Sequence, residues 1–600
     1  MCGIAGFLNF LPSRSPQAIR DLVLAMNQAQ AHRGPDADGY WADAENRCHL
    51  GHRRLSIIDL STAANQPMLD ETGRYAMAFN GEIYNFKDLR RDLEARGIQF
   101  RTHSDTEVLL RLFIAEGPAA FKRCDGMFAV AIYDTHTKTL TLARDRCGEK
   151  PLYVATTAGF FAFASELRAL TALPDFTYEI SETGLALYMA LRYVPPPRTI
   201  FEGIGKLEPG CFLQIGPDGV QRRERYFHFQ IDDARAAAPQ DIDAYAEQVE
   251  AALQSSLEAR LNSDVPLGAF LSSGVDSSLV CAILAKKMQR RLHTYTVGFA
   301  DDAQSEDTAA RAIARHLGTQ HEDFVFGAAD FDAICGKIGT LLDEPNGDRS
   351  CVPTYLLSQF ARQHVKVAIS GDGGDELFAG YGRYIAFMAQ TAQTKWPSAA
   401  AIPQYYFSAA LPVFPWQAIQ DVAPGGMGEV QGFTGSFGNL FTAPGRNMLN
   451  ALRLLDFETY MPGAVLAKVD RMSMQHGLEV RTPYLSPALM ALSSTAPLPA
   501  LFDGKAQKAV LRRLMAKYVP QEFAYAPKKG FGMPASVFLQ NADRVRAEIN
   551  SAIGALAQSS FFAARKGSIE KLAVWAGHNT NSIWATIVLG KWIESLGRPV

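Results

Sequence analysis

Val265 to Leu284 reads VPLGAFLSSGVDSSLVCAIL, and no other stretch constrains this chain as tightly. Val265 to Leu271 is an apolar run of strand length, and from Ser277 to Leu284 the pattern turns helical. Between them lie Ser272, Ser273, Gly274, Val275 and Asp276, a small, flexible turn ending in a carboxylate. A strand, a tight Ser/Gly turn and a helix start make an anion site. Backbone N–H groups and the positive end of the helix dipole face one spot there. The hydroxyls of Ser272, Ser273, Ser277 and Ser278 add donors. Asp276 would repel a phosphate unless a divalent cation sat between them. The stretch therefore reads as a cradle for magnesium pyrophosphate. The plainer reading is a strand-to-helix turn capped by Ser and Asp.

The chain has no G-x-x-x-x-G-K-[ST] run, so the common phosphate loop is excluded. The stretch resembles the pyrophosphate loop of the ATP pyrophosphatase (adenine nucleotide alpha hydrolase) superfamily, S-G-G-x-D-S, with Ser273 in place of the first glycine. That resemblance implies ATP and Mg²⁺, with cleavage between the α and β phosphates to give an adenylated carboxylate.

A length of 600 residues predicts two large domains. Hydrophobic content of 48% and charged content of 20% are those of a well-cored globular chain. A net charge of −3 gives no electrostatic case for nucleic acid or an acidic membrane. The eight cysteines include no C-x-x-C pair, which argues for a reducing compartment and against zinc or disulfides. No basic n-region precedes an apolar segment at the start. The longest uncharged run, Ser398 to Gln420, contains three prolines and does not read as a membrane span. A cytoplasmic location is expected.

The chain opens Met1-Cys2-Gly3-Ile4-Ala5-Gly6. If Met1 is removed, Cys2 carries a thiol and a free α-amino group on one residue. That amine has a pKa of roughly 7.7–8.0, so it accepts the thiol proton near neutrality, and nucleophile and base are packaged together. On its own Cys2 reads as no more than the start of a buried strand, Ile4 to Phe10, and it is the clusters that follow which change that. Further clusters follow at His32 to Asp36 and Gly51 to Ile57. Phe79 to Asn85 places Asn80-Gly81 between short strand-like segments, a hairpin-turn signal. Ser104 and Glu107 have capping-box spacing at the head of a helical run ending at Gly117, which makes Asp105 a first-turn carboxylate. Met127 to Tyr133 and Leu140 to Ala143 read as paired strands.

In order and spacing, Cys2 to about Gly210 resembles the glutaminase domain of class II glutamine amidotransferases. The resemblance implies an N-terminal nucleophile hydrolase fold, an αββα sandwich. It makes Cys2 the nucleophile on the glutamine amide, and Asn80 with Gly81 the oxyanion hole. Arg54 would hold the α-carboxylate as a bidentate fork. Asp105, helped by Glu82, would hold the α-ammonium. Cys147 reads as packing.

Tyr193 to Arg198 is a stiff, proline-rich crossing segment, and Lys206 to Gly210 a turn before a final hairpin. Asp232 to Gln240 reads as the linker, placing the domains at 1–215 and 235–600. Asp241 to Leu261 is an amphipathic helix. Strands at Leu292 to Phe299, Gln320 to Val325 and Val365 to Ile369 then alternate with helices at Glu306 to Leu317 and Val352 to Ala361. That alternation predicts an open parallel sheet with ligands at the C-terminal strand ends. The loop after the last of these strands, Ser370-Gly371-Asp372-Gly373-Gly374-Asp375-Glu376, carries three acids within five residues. The C-terminal part reads as mostly helical. Lys468 to Arg471, Gly477 to Leu485, Gly504 to Arg512 and Lys528 to Phe531 carry charge in otherwise apolar sequence.

Val265 to Phe531 resembles the synthetase domain of glutamine-dependent asparagine synthetases. The resemblance places Leu271, Val297, Ser370 and Gly371 around adenosine and Mg²⁺ on Asp276 and Asp375. Lys508 would stabilise the adenylation transition state, with Asp372 beside the acyl-adenylate, where many relatives have Glu. It implies a glutamine-hydrolysing ligase acting on glutamine, ATP and aspartate, and is compatible with a homodimer. Another carboxylic acid, such as a sugar acid in surface polysaccharide assembly, would serve the same chemistry. A non-catalytic binding or regulatory relative is the remaining reading.

Overall fold

The computed structural model describes residues 1–10, 14–173, 179–300, 306–527, 530–532 and 542–597. Lys528 and Lys529, singled out above, lie outside them.

The first third of the chain forms two six-stranded, mainly antiparallel sheets packed face to face. In the first, Gly3–Asn9 lies between Cys48–Arg54 and Phe160–Ala164. In the second, Gly126–Asp134 lies between Tyr75–Ile83 and Thr139–Arg144. Side chains alternate across a strand, and the alternation sorts the layers. Ile4 and Leu8 face the second sheet, joining Ala78, Tyr133 and Leu142. Ala5 and Phe7 face outward under the helix Pro16–Ala29, against Ile19, Val23 and Met26. On the far side, Phe79 and Val130 pack under the helices Phe86–Ala95 and Asp105–Glu116. The result is the αββα sandwich.

Asn80-Gly81 does not make the expected hairpin turn. Both residues are inside the continuous strand Tyr75–Ile83, paired with Ala129 and Phe128. The glycine serves close approach instead: a Cβ on Gly81 would lie 2.2 Å from the Met127 carbonyl oxygen. The final hairpin, Cys211–Ile215 and Gln221–Arg225, completes the second sheet, so that sheet runs ten residues beyond 215. The expected linker contains the short helix Asp233–Ala237, held by an Arg446–Asp233 ion pair at 2.6 Å.

The second part is built on a five-stranded parallel sheet. Its order is Gln320–Phe326, His293–Phe299, Leu267–Phe270, Val367–Ile369, Glu479–Arg481. From the central Leu267–Phe270, the chain winds first to one edge and then to the other. The two loops leaving the adjacent strands Leu267–Phe270 and Val367–Ile369 thus meet at the switch point where such sheets bind ligands. They touch: a Cβ on Gly371 would lie 2.7 Å from the Ser277 nitrogen, and one on Gly374 2.5 Å from Asp276 Oδ1. The remainder is mostly helical, and one apolar core runs from Phe7 through Leu279 to Trp592, across both parts. No described helix is long and apolar enough to cross a membrane.

Candidate active sites

Cys2 immediately precedes the strand Gly3–Asn9 of the first sheet and is buried. Its backbone N–H donates to Asn80 Oδ1 at 2.9 Å, so the opening residues and the Asn80 strand meet as expected. Arg54 ends the neighbouring strand, and its guanidinium donates to the Ser61 carbonyl (2.8 Å), Asn65 Oδ1 (2.7 Å) and the Asp59 carbonyl. Asp105 opens its helix behind the Ser104 cap. Half of the predicted capping box forms: Ser104 Oγ accepts from the Glu107 N–H, while the Glu107 carboxylate turns to the Arg101 and Thr102 N–H groups. Asp105 Oδ2 accepts from the Ile83 N–H at 2.9 Å. Burial raises its pKa to about 6, against the lowering effect of that hydrogen bond. Burial, then Glu479 and Asp105, hold Glu82 well above the usual carboxylate range.

Three groups here come from the far part of the chain, Glu479, Arg481 and Asp470. The Met1 ammonium is buried and donates to Glu479 Oε2 at 2.6 Å. Burial acts to lower the ammonium pKa, but Glu479 raises it overall. Glu479 also accepts from Arg481 Nε at 2.7 Å, and Arg481 lies 3.6 Å from Glu82. Burial opposes the Glu479 charge, yet the Met1 ammonium and Arg481 bring its pKa down to about 2. Burial pushes the Cys2 thiol up, partly offset by the Met1 ammonium. Arg33 donates to the Cys2 carbonyl at 3.0 Å and to both oxygens of Asp470 (2.8 and 3.2 Å), which Lys150 also meets at 3.2 Å. The visible signal for Glu479 and Asp470 was charge inside apolar runs. Cys147 is buried, with its thiol pushed well up by burial, as packing requires.

In the second part, Gly274 precedes the helix Val275–Ala282. The cradle hydroxyls partly hold the loop itself. Ser272 Oγ accepts from the Gly274 N–H (3.0 Å), and Ser277 Oγ from the Ser272 N–H (3.1 Å). Ser278 donates to the Ser272 carbonyl at 2.9 Å and is fully buried, so it is not a phosphate donor. A cavity of about 580 Å³ opens over the loop. Leu271, Ser272, Gly274, Asp276, Ser277, Val297, Ser370, Gly371, Asp372 and Asp375 line it, and Ser273 does not. Lys508 is buried in a left-handed conformation, φ 54°. Its ammonium joins Asp276 and, at 2.6 Å, Asp375. Burial opposes that charge, but the two carboxylates raise its pKa overall. Sequence reasoning missed Arg192, Asp348, Arg349 and Tyr460, which also line the cavity. They carry no motif, because folding alone brings them there.

Comparison with known proteins now decides the family. Residues 1–227 match the glutamine amidotransferase domain model and residues 248–593 the asparagine synthase model. Asparagine synthetase [glutamine-hydrolyzing] 1 of Bacillus subtilis is 32% identical over 99% of this chain and 96% of its own length. The chain belongs to the asparagine synthetase family. It is an ATP-dependent ligase that takes amide nitrogen from glutamine. Asparagine synthetase B of Escherichia coli is 33% identical over 64% of this chain and 65% of its own. The amidase chry2 of Gibberella zeae is 26% identical over 89% of each. The two halves of the family thus coincide with the antiparallel sandwich and the parallel-sheet domain.

Proposed function

We propose that this ligase makes asparagine from aspartate, and that the sites described above carry the two half-reactions. Once Met1 is removed, the Cys2 amine takes the thiol proton and the thiolate attacks the glutamine side-chain carbonyl. Asn80 and the Gly81 N–H stabilise the oxyanion. With Met1 in place the Cys2 nitrogen is an amide, so loss of Met1 is a condition of activity. Arg54 binds the glutamine carboxylate, and Asp105 with Glu82 the ammonium. Ammonia and, after attack by water, glutamate leave.

At the second site the acceptor carboxylate attacks the α-phosphorus of ATP and pyrophosphate departs. Ammonia then attacks the acyl carbon, AMP departs, and the extra proton passes to a nearby base or to solvent. The loop Ser272–Ser277 and Lys508 accommodate the phosphates, with adenosine against Leu271, Val297, Ser370 and Gly371. Asp276 and Asp375 converge on one cationic centre, the Lys508 ammonium, and two hard oxygen donors of that kind suit Mg²⁺. When bound, Mg²⁺ would neutralise charge on the pyrophosphate leaving group. Asp372 lines the same cavity beside the reacting centre. Val469 lines both this cavity and a narrow gap reaching Met1 and Leu466, which supports a shielded path for ammonia between the sites.

The observation that carries the reading is the meeting of Asp276, Asp375 and Lys508 where the two strand-end loops touch. Pyrophosphate release, assayed with glutamine, Mg-ATP and a panel of acids, tests it. Turnover with aspartate is expected. Turnover only with another acid, such as a uronic acid, would change the product. Intact folding with no turnover on any acid would leave a binding or regulatory protein.

A further inference from the structure

Glu479 belongs to the parallel-sheet part but ends beside Cys2. Its strand, Glu479–Arg481, forms one edge of that sheet and pairs with Val367–Ile369. The Glu479 N–H donates to the Lys366 carbonyl and the Ser370 N–H to the Arg481 carbonyl, both at 2.9 Å. The sheet thus fixes where this carboxylate points. It is fully buried, and a buried charge needs partners. Two cations serve it: the Met1 ammonium at 2.6 Å and Arg481 Nε at 2.7 Å. The Arg481 guanidinium is already divided. One terminal nitrogen donates to the Arg260 and Asn262 carbonyls, each at 2.7 Å, and the other lies 3.6 Å from Glu82. Removal of Met1, on which the glutaminase reading depends, takes away one of the two cations of Glu479 and leaves it only a guanidinium shared with Glu82.

The same cleavage creates a new amine nearby. The Cys2 nitrogen is anchored on Asn80 Oδ1 at 2.9 Å. Consecutive backbone nitrogens lie less than about 4 Å apart. The Cys2 nitrogen is therefore within roughly 6 Å of Glu479 Oε2, near enough for the carboxylate to favour a protonated amine. The other charges around it have their own places. Glu82 favours the same form, while Arg481 and Arg54 oppose it. Asp105 accepts from the Ile83 N–H, and Asp470 pairs with Arg33 and Lys150. Burial keeps His52 and Tyr84 uncharged. Glu149 lies across the narrow gap, where the Thr482 hydroxyl donates to it. The Cys2 thiol is the remaining neighbour. Burial, the terminal ammonium, the Leu55 backbone and Arg54 all bear on that thiol more than Glu479 does. After burial, Glu479 bears most on the terminal ammonium. Its charge thus favours the ammonium more than it opposes the thiolate.

We propose that Glu479 is the counter-ion of the Cys2 α-amine once Met1 is gone, so that a carboxylate of the synthetase part sets the strength of the glutaminase base. This rests on the glutaminase reading above. The proton passes from Sγ to the α-nitrogen as the thiolate attacks, and on to the departing nitrogen as the C–N bond breaks. Glu479 neither gains nor loses a proton and touches no reacting atom, so it is a positioning residue. Without it, burial and Arg481 would both weaken the amine as a base. The amidotransferase part then has its full base only while the two parts are docked.

The test uses the full-length enzyme, with loss of Met1 checked by mass, and reads glutamate release from glutamine without ATP as a function of pH. Protonation of the amine in the free enzyme sets the acid limb of kcat/KM. Glu479→Gln keeps the shape and removes the charge. It is expected to move that limb to lower pH by about one unit and to lower kcat by roughly tenfold, while the KM for glutamine holds. Arg481→Gln removes the cation that opposes Glu479 and is expected to move the limb the other way, which keeps the test open should Glu479→Gln not fold. A limb that stays in place in a folded variant, or moves the same way in both, overturns this inference and leaves the glutaminase reading standing. A rise in the KM for glutamine with the limb unmoved assigns Glu479 to the substrate ammonium and also overturns it. Glutamate release that persists in Cys2→Ala removes the glutaminase reading and this inference with it.

Discussion

The two sites are built on opposite plans. Around Cys2, the groups proposed to bind glutamine are already engaged by protein: Asn80 by the Cys2 N–H, Arg54 by two carbonyls and an amide, Asp105 by the Ile83 N–H. Around Asp276, two loops leave a cavity of about 580 Å³, with Lys468 and Arg349 on its wall. The difference follows from the sheets. An antiparallel sandwich fills the space between its layers with side chains, so a site inside it is small and fixed by neighbouring strands. A parallel sheet opens at the switch point, where loops diverge and leave room for a nucleotide and a second substrate. On the proposed assignment, the closed site takes a single small zwitterion and the open one assembles two reactants.

If the plans are independent, the sites can be broken one at a time. Cys2→Ala is expected to abolish glutamine-dependent synthesis and leave ammonia-dependent synthesis, because Cys2 takes no part in adenylation. Comparing the two nitrogen donors checks this, and equal loss of both would show that the sites are not separable. Asp276→Asn is expected to work in the opposite sense. Removing a charge proposed to hold Mg²⁺ would cost several kcal/mol of transition-state stabilisation, so on that proposal adenylation should fall by ~10³ or more. Asp375 still pairs with Lys508 at 2.6 Å, which favours an intact fold, and ATP-independent glutamine hydrolysis should survive. Near-parental ATP–pyrophosphate exchange at saturating Mg²⁺ would reduce the cradle to a capped turn. Asn80→Ala removes one proposed oxyanion donor and is expected to lower the glutaminase kcat by roughly 10²–10³. A change confined to the KM for glutamine would place Asn80 in ground-state binding.

The same contrast decided what the sequence could show. Strand-end loops carry their chemistry in contiguous residues, so Ser272 to Ser277 and Ser370 to Glu376 were visible in a single reading. The parallel sheet was visible too, because its strands alternate with helices. Asn80-Gly81 misled, because a strong local turn signal was overridden by long-range pairing with Phe128 and Ala129. Glycine there answers to the Met127 carbonyl, which no local pattern reveals. Glu479 and Arg192 were illegible for a related reason: each acts across more than a hundred residues, on Met1 and on Asp348 or Tyr460 respectively. Burial made Glu479 conspicuous as a charge in an apolar run without naming its partner.

The smallest effect concerns the closed site alone. His52 lies within the first sheet, fully buried, with Nε2 on the Phe79 carbonyl at 3.1 Å. Burial lowers its pKa from 6.5 to about 3, against that hydrogen bond, which raises it. The folded ring therefore stays neutral while the unfolded ring binds a proton below pH 6.5. The sign is fixed by that difference: as pH falls from 6.5 towards 3, protons favour the unfolded chain and stability is lost. The slope is about 1.4 kcal/mol per pH unit at most. Asp105 and Glu149 act the other way, since burial raises their pKa values to about 6 and about 7. Their folded forms bind protons more readily, so their contribution rises as pH falls over part of the same window. The net slope of the parent protein therefore does not isolate His52, but the difference between parent and His52→Gln does. Gln keeps a donor for the Phe79 carbonyl and removes the titration. Denaturant unfolding of both proteins at pH 7.5 and 5.5 is expected to show the variant losing less stability on acidification, by about 1 kcal/mol. A pH-independent difference would mean that protons or water reach the ring, and that the sandwich is less closed than the contrast between the two sites requires.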